Sequence, residues 1–145
     1  MSKQAAFWDA SALVPLCVHE AGSRQAQSQL RKFMPVVWWG SLVEVHNAIA
    51  RLHRLGTLKA VEKQGALSRL ELLSRGWREI LPGDHVRDLA RRLVDAHELR
   101  AADSLQLAAA LTWRQQRTAK RDFVCADQRL SKAAIAAGFS VLELP

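Results

Sequence analysis

Three short segments of this sequence are apolar at almost every position: Ala5–Trp8, Pro35–Trp39 and Phe123–Cys125. A strand with one wet face alternates apolar and polar residues, so a run without alternation must be covered on both sides. Glu79–Leu81 and Ser140–Leu142 read as two further short strands. Helical segments lie between them: Ser11–Leu16 up to the Pro15 region, Ser23–Phe33, Leu42–Leu55 stopped by Gly56, and Leu58–Ser74. His85–Ala96 with Asp84 as its cap, Asp103–Arg117 and Gln128–Ala137 closed by Gly138 complete the set. Buried strands alternating with helices predict an α/β chain, a three-layer α/β/α sandwich around a central, mostly parallel sheet.

The 145 residues, 49% hydrophobic and 24% charged, suit one globular domain over residues 1–145 with a real core. No uncharged apolar stretch is long enough to span a bilayer, so no membrane partner is expected. The first residues are interrupted too soon by Asp9 for a signal peptide, and a cytoplasmic location is expected. Cys17 and Cys125 share no metal-binding spacing and read as buried, reduced thiols. With 21 Lys and Arg against 14 Asp and Glu, the net charge of +7 attracts polyanions, of which nucleic acid is the commonest.

Acids fall at informative places. Asp9 follows the first strand, and Asp127 lies two residues past Cys125. Glu44 sits in the first turn of the helix after the second strand, and Asp103 opens the apolar helix that follows Leu99–Ala102. Each has a structural explanation, because orphan N–H groups and the helix dipole favour acids at helix starts. Ser41-x-x-Glu44 also matches a capping box. Taken together, however, four carboxylates at one sheet edge would repel and stay partly protonated unless a cation compensates. An all-oxygen set suits Mg²⁺ or Mn²⁺ rather than zinc, ions that lower the pKa of water and stabilise phosphodiester displacement.

The same residues resemble a known family. Phe7-Trp8-Asp9-Ala10-Ser11-Ala12-Leu13-Val14 is similar to the opening strand-to-helix turn of PIN domains. Ser41–Val45 followed by Ala48–Arg51, Leu99–Ala110 and Phe123–Leu130 resemble the second, third and fourth motifs, in family order across most of the chain. The resemblance implies a PIN-like nuclease domain and an endonuclease acting on single-stranded RNA with Mg²⁺ or Mn²⁺. Asp9, Glu44, Asp103 and Asp127 would be its catalytic and metal-binding acids, with Ser11 in support. The motif spelling looks like VapC-type toxins of toxin–antitoxin pairs, which implies a small cognate antitoxin and a homodimer. Gln106 stands where relatives often carry His, and Cys125-Ala126 replaces a more usual Thr-x pair.

Arg100 is a candidate for holding substrate phosphate, and Arg51, Arg54 and Lys59 for tracking an RNA backbone, against the plainer reading of solvated helix faces. Trp38-Trp39 offers base stacking or core packing, with core packing expected for at least one. His46 and His97 are expected to be surface histidines, and Arg114, Arg117, Lys120 and Arg121 a soluble charge run. Two other classes compete with a toxin nuclease. A phosphoryl-transfer domain would use Asp9 as nucleophile, but Ser11 replaces the second Asp of haloacid-dehalogenase-like sites. A PIN-type RNA-processing nuclease or an inactive RNA- or protein-binding module is the remaining alternative.

Overall fold

The protein, seen in a computed structural model, is described over residues 3–115 and 121–145. Five strands, β1 (Gln4–Trp8), β2 (Phe33–Trp38), β3 (Arg78–Ile80), β4 (Asp122–Cys125) and β5 (Ser140–Glu143), form one sheet in the order β3-β2-β1-β4-β5. Every pairing is parallel. Seven helices are described: α1 (Ala10–Cys17), α2 (Ser23–Lys32), α3 (Ser41–Arg54), α4 (Ala60–Gly76), α5 (Asp84–Ala96), α6 (Ala101–Gln115) and α7 (Gln128–Ala136).

The unbroken apolar runs are explained by cover on both faces. Along β1, Ala6 and Trp8 pack with residues of α1, α3 and α4, whereas Phe7 between them packs with residues of α5, α6 and α7. Side chains alternate across a strand, so a strand buried twice must be apolar throughout. Phe7 stacks on Phe123 of the neighbouring strand at 5.3 Å between ring centroids. The three-layer sandwich is the expected PIN-like architecture.

Local details depart from the sequence reading. Pro15 does not end α1, which runs on to Cys17. Proline removes one backbone donor, and in an eight-residue helix that loss falls only one turn from the end. Asp84 is not a cap: Gly83 holds that position, and Asp84 instead pairs with Arg87 in the first turn of α5 at 3.0 Å. α6 begins two residues before Asp103, which puts that acid inside the first turn. Gly56 and Gly138 do stop their helices, with φ of 83° and 99°, backbone that a side chain disfavours. Among the described residues, no helix is long and apolar enough to cross a membrane.

Candidate active site

The chain leaves β1 in one direction to build β2 and β3, then returns to the other side of β1 for β4 and β5. β1 and β4 therefore flank the reversal, and the crevice beyond their carboxyl ends is where such sheets bind ligands. Asp9 directly follows β1, and Asp127 follows β4 by two residues. α3 starts at this edge because it leaves β2, and α6 starts here because it must run back to feed β4. Their first turns carry Glu44 and Asp103. All four predicted acids thus come from separate elements to one edge of the sheet.

Asp9 is the most enclosed of them, with 3% of its surface exposed. Its backbone N–H donates to Val124 O of β4, and its side chain accepts from Ser11 N at 3.0 Å and from Ser11 Oγ at 2.9 Å. Ser11 Oγ in turn accepts from Ala126 N at 2.9 Å and lies 3.9 Å from Cys125 Sγ. One hydroxyl therefore ties the end of β1 to the end of β4. Burial pushes the Asp9 carboxyl up to about 6; the nearby Asp127 charge adds to this, while the bonds from Ser11 and Cys125 oppose it. Asp9 also caps α1, so the structural explanation and the site placement hold together at this residue.

Glu44 does not form the expected capping box. Gly40 is the cap of α3, and the Glu44 carboxylate accepts from Gln106 Nε2 of α6 at 3.2 Å. The same Nε2 donates to the buried Ser41 Oγ at 2.9 Å. A side chain from α6 offers Glu44 a donor, turning it toward the crevice instead of back along its own helix. Burial raises the Glu44 carboxyl to about 7, eased by the Gln106 bond and worsened by the charges of Asp9 and Asp103. Gln106 is 1% exposed. Its signal in the sequence is an amide three residues after Asp103, on the same face of an otherwise apolar helix.

Asp103 is half-buried and its carboxyl is raised, by burial first and by the Asp127 charge next; Arg100 and Arg129 pull the other way. Arg100, the predicted phosphate holder, is exposed beside it. Arg129 was not singled out from the sequence; it stands two residues after Asp127 in the first turn of α7. Asp127 uses Oδ1 to cap α7, accepting from Leu130 N at 3.0 Å. The Cys125 thiol, fully buried, donates to Asp127 O and accepts from Asp127 N.

Asp9, Glu44 and Asp103 are each raised in part by a neighbouring carboxylate, yet among the described residues none of the four acids has a Lys or Arg nitrogen within 4.0 Å. Negative, desolvated and all-oxygen, this donor set has the chemistry of a hard-dication site. Among the described residues, no three such side chains form a ready-built cage. The fit lies in donor chemistry and charge.

Other expectations resolve simply. Trp38 is in the core, whereas Trp39 at the end of β2 is 51% exposed. His46 is exposed and His97 half-buried, and Arg51, Arg54 and Lys59 lie on solvent-facing surface. The charge run is not merely a soluble loop. Arg121 is buried, with its guanidinium 4.6 Å from the Trp113 ring centroid, and Arg114 donates to Ala137 O and lies over Phe139. Arg117 and Lys120 fall outside the described residues.

No protein-family model matches the chain, and no curated protein matches it at a significant level. Solved structures do. A chain of the toxin–antitoxin complex from Klebsiella pneumoniae superposes with a TM-score of 0.66 at 16% identity, covering 95% of this chain and 96% of that one. A chain of VapBC2 from Rickettsia felis, bound to a DNA fragment from their promoter, gives 0.67 at 11% identity, with coverages of 98% and 100%. FitAcB from Neisseria gonorrhoeae gives 0.65 at 15% identity, with 94% and 96% covered. The class these likenesses define is a fold class, the PIN-like α/β/α sandwich. This chain has that fold over nearly its whole length.

Proposed function

We propose that this chain is a metal-dependent endoribonuclease, a single PIN-like nuclease domain acting as the toxin of a toxin–antitoxin pair. The observation that carries the nuclease reading is the meeting of Asp9, Glu44, Asp103 and Asp127, from four elements, at the sheet's switch point with no Lys or Arg nitrogen within 4.0 Å among the described residues. Capping alone does not account for Glu44, whose carboxylate takes a donor from Gln106 of α6 instead of returning to its own helix. The toxin role is supported by the fold shared with chains of toxin–antitoxin complexes. On this reading the partners are RNA as substrate, a small cognate antitoxin and a second copy of the chain, all in the cytoplasm.

Asp9 and Asp103 would hold Mg²⁺ or Mn²⁺, with Glu44 and Asp127 completing the acidic set. When bound, such an ion supplies a more acidic water and neutralises charge on a phosphodiester. The chain's own residues prepare the site. Ser11 fixes both oxygens of Asp9, Gln106 orients Glu44, and the Asp127 cap leaves Oδ2 outside the Leu130 bond. Arg100 offers a charge for substrate phosphate at the open side of Asp103.

The test is incubation of single-stranded RNA with the purified chain and Mg²⁺ or Mn²⁺, with and without chelator. Cleavage that requires the ion and disappears in folded Asp9→Asn and Asp103→Asn is the expected result. Cleavage untouched by these substitutions rejects the assignment. Growth arrest on expression, relieved by a co-expressed neighbouring small protein, tests the toxin role separately.

A further inference from the structure

Beside the acids, a cleft of about 470 Å³ opens between the α5–α6 connection and α7, lined by His97, Glu98, Leu99, Arg129, Lys132 and Ala133 among others. We infer that this cleft is a nucleotide subsite, holding the residue of a single-stranded RNA next to the phosphate that is cut. The inference rests on the nuclease reading above and extends it to where the RNA chain lies.

Position comes first. Leu99 precedes Asp103 by four residues, and Arg129 follows Asp127 by two, so the cleft is built on the approach to α6 and the first turns of α7, the segments that carry two of the acids, although none of the four acids lines it. Arg129 belongs to both cleft and crevice, because its charge also reaches the Asp103 carboxylate. A strand crossing the crevice toward α7 meets this cleft next.

Size and chemistry agree. The volume falls within the roughly 300–1,000 Å³ typical of small-ligand sites, room for about one nucleotide rather than a folded segment. Leu99 and Ala133, 9% and 4% exposed, close the bottom of the cleft with apolar atoms and leave the contacts to the exposed side chains around them. The backbone donors of His97 and Leu99 are already spent on Leu93 O and His97 O, so contact there is left to side chains. Arg129 and Lys132 bring two positive charges against one from Glu98, an excess suited to a phosphodiester.

Four other cations are held by partners within the chain, whereas Arg51, Arg54, Lys59 and Arg100 are exposed like the pair in this cleft but do not line it. Arg69 donates to Cys17 O, Arg87 pairs with Asp84, Arg114 bonds Ala137 O, and Arg121 packs on Trp113. Arg129 and Lys132 are exposed, and among the described residues neither has a carboxylate within 4.0 Å. A second cleft of about 480 Å³ on α5, lined by Asp88, Arg91, Arg92, Val94 and Asp95, balances its charges and shares no residue with the acidic crevice. It provides an internal control.

The experiment compares Arg129→Gln/Lys132→Gln with Arg91→Gln/Arg92→Gln in the full chain. Binding of a fluorescein-labelled single-stranded RNA is followed by anisotropy in chelator from low to high salt, with thermal melting as a check on folding. Each phosphate contact contributes a slope of about 0.7 in log K against log salt for single strands. Losing two contacts should lower the slope by about 1.4 and weaken binding roughly 10- to 30-fold near 0.1 M salt. The α5 pair should stay within about twofold of the parent. RNA affinity and slope unchanged in the first variant, or lost equally in the second, would overturn the subsite. So would a loss confined to binding of an acidic peptide. If the parent chain binds but never cleaves RNA with any dication, it is the nuclease reading that fails.

Discussion

Substituting Asp9 by asparagine should make the metal-free protein more stable while abolishing cleavage. The carboxyl is raised from 3.8 to about 6, chiefly by burial, so the folded chain holds its proton more tightly than the unfolded chain does. Unfolding then releases protons between about pH 4 and pH 6, and stability falls as pH rises through that window. Above it the full difference applies, about 3 kcal/mol for a shift of some two units. Asparagine is uncharged, similar in shape and as good a helix cap as aspartate. Its amide oxygen can accept one Ser11 bond but its nitrogen cannot accept the other, a loss of about 1 kcal/mol. The net expectation at pH 8 is a gain of about 2 kcal/mol, or roughly 4–8 °C in melting temperature for a chain of this size. Urea unfolding in chelator at pH 8 and at pH 4 reads this directly. The gain should vanish or reverse at the lower pH. A variant less stable than the parent at pH 8, or a difference equal at both pH values, refutes the reasoning.

Further expectations follow from the same geometry. Because Asp9 and Glu44 are raised to about 6 and about 7, protons compete with a dication, and Mn²⁺ affinity should climb between pH 5.5 and 8; a flat calorimetric titration would contradict this. Gln106→Leu removes the donor shared by Ser41 Oγ and Glu44, leaving a buried hydroxyl unpaired. A destabilisation of about 1–3 kcal/mol is expected in urea, together with weaker Mn²⁺ binding, and unchanged values for both would remove Gln106 from the site. Saturating Mg²⁺ or Mn²⁺ should raise the parent's melting temperature, by about 2.7 kcal/mol of stability at a hundredfold excess over Kd, and should do so far less in Asp103→Asn. Equal shifts in both proteins would place the ion elsewhere.

The layers were readable because the apolar runs of β1, β2 and β4 leave no wet face, a property of each segment by itself. The placement of Asp9, Glu44, Asp103 and Asp127 was readable for a related reason, since strand ends and helix starts are local features. What escaped was side-chain partnership across elements. Ser41 and Glu44 fit a capping box by spacing, yet the carboxylate finds a donor on α6, sixty-two residues away. Arg114 and Arg121 looked like a solvated run because their aromatic partners Phe139 and Trp113 are distant or masked by a helix pattern. Arg129 was overlooked because nothing in its own surroundings reveals that α6 brings Asp103 toward it.

The most direct trial of the acidic centre is a metal-binding titration of the intact chain beside its Asp9→Asn/Asp103→Asn counterpart, scored together with RNA cleavage. Stoichiometric Mn²⁺ uptake and strand scission in the parent, both absent from a counterpart that remains folded, are what the account predicts. Undiminished uptake or scission after both acids are neutralised would contradict it.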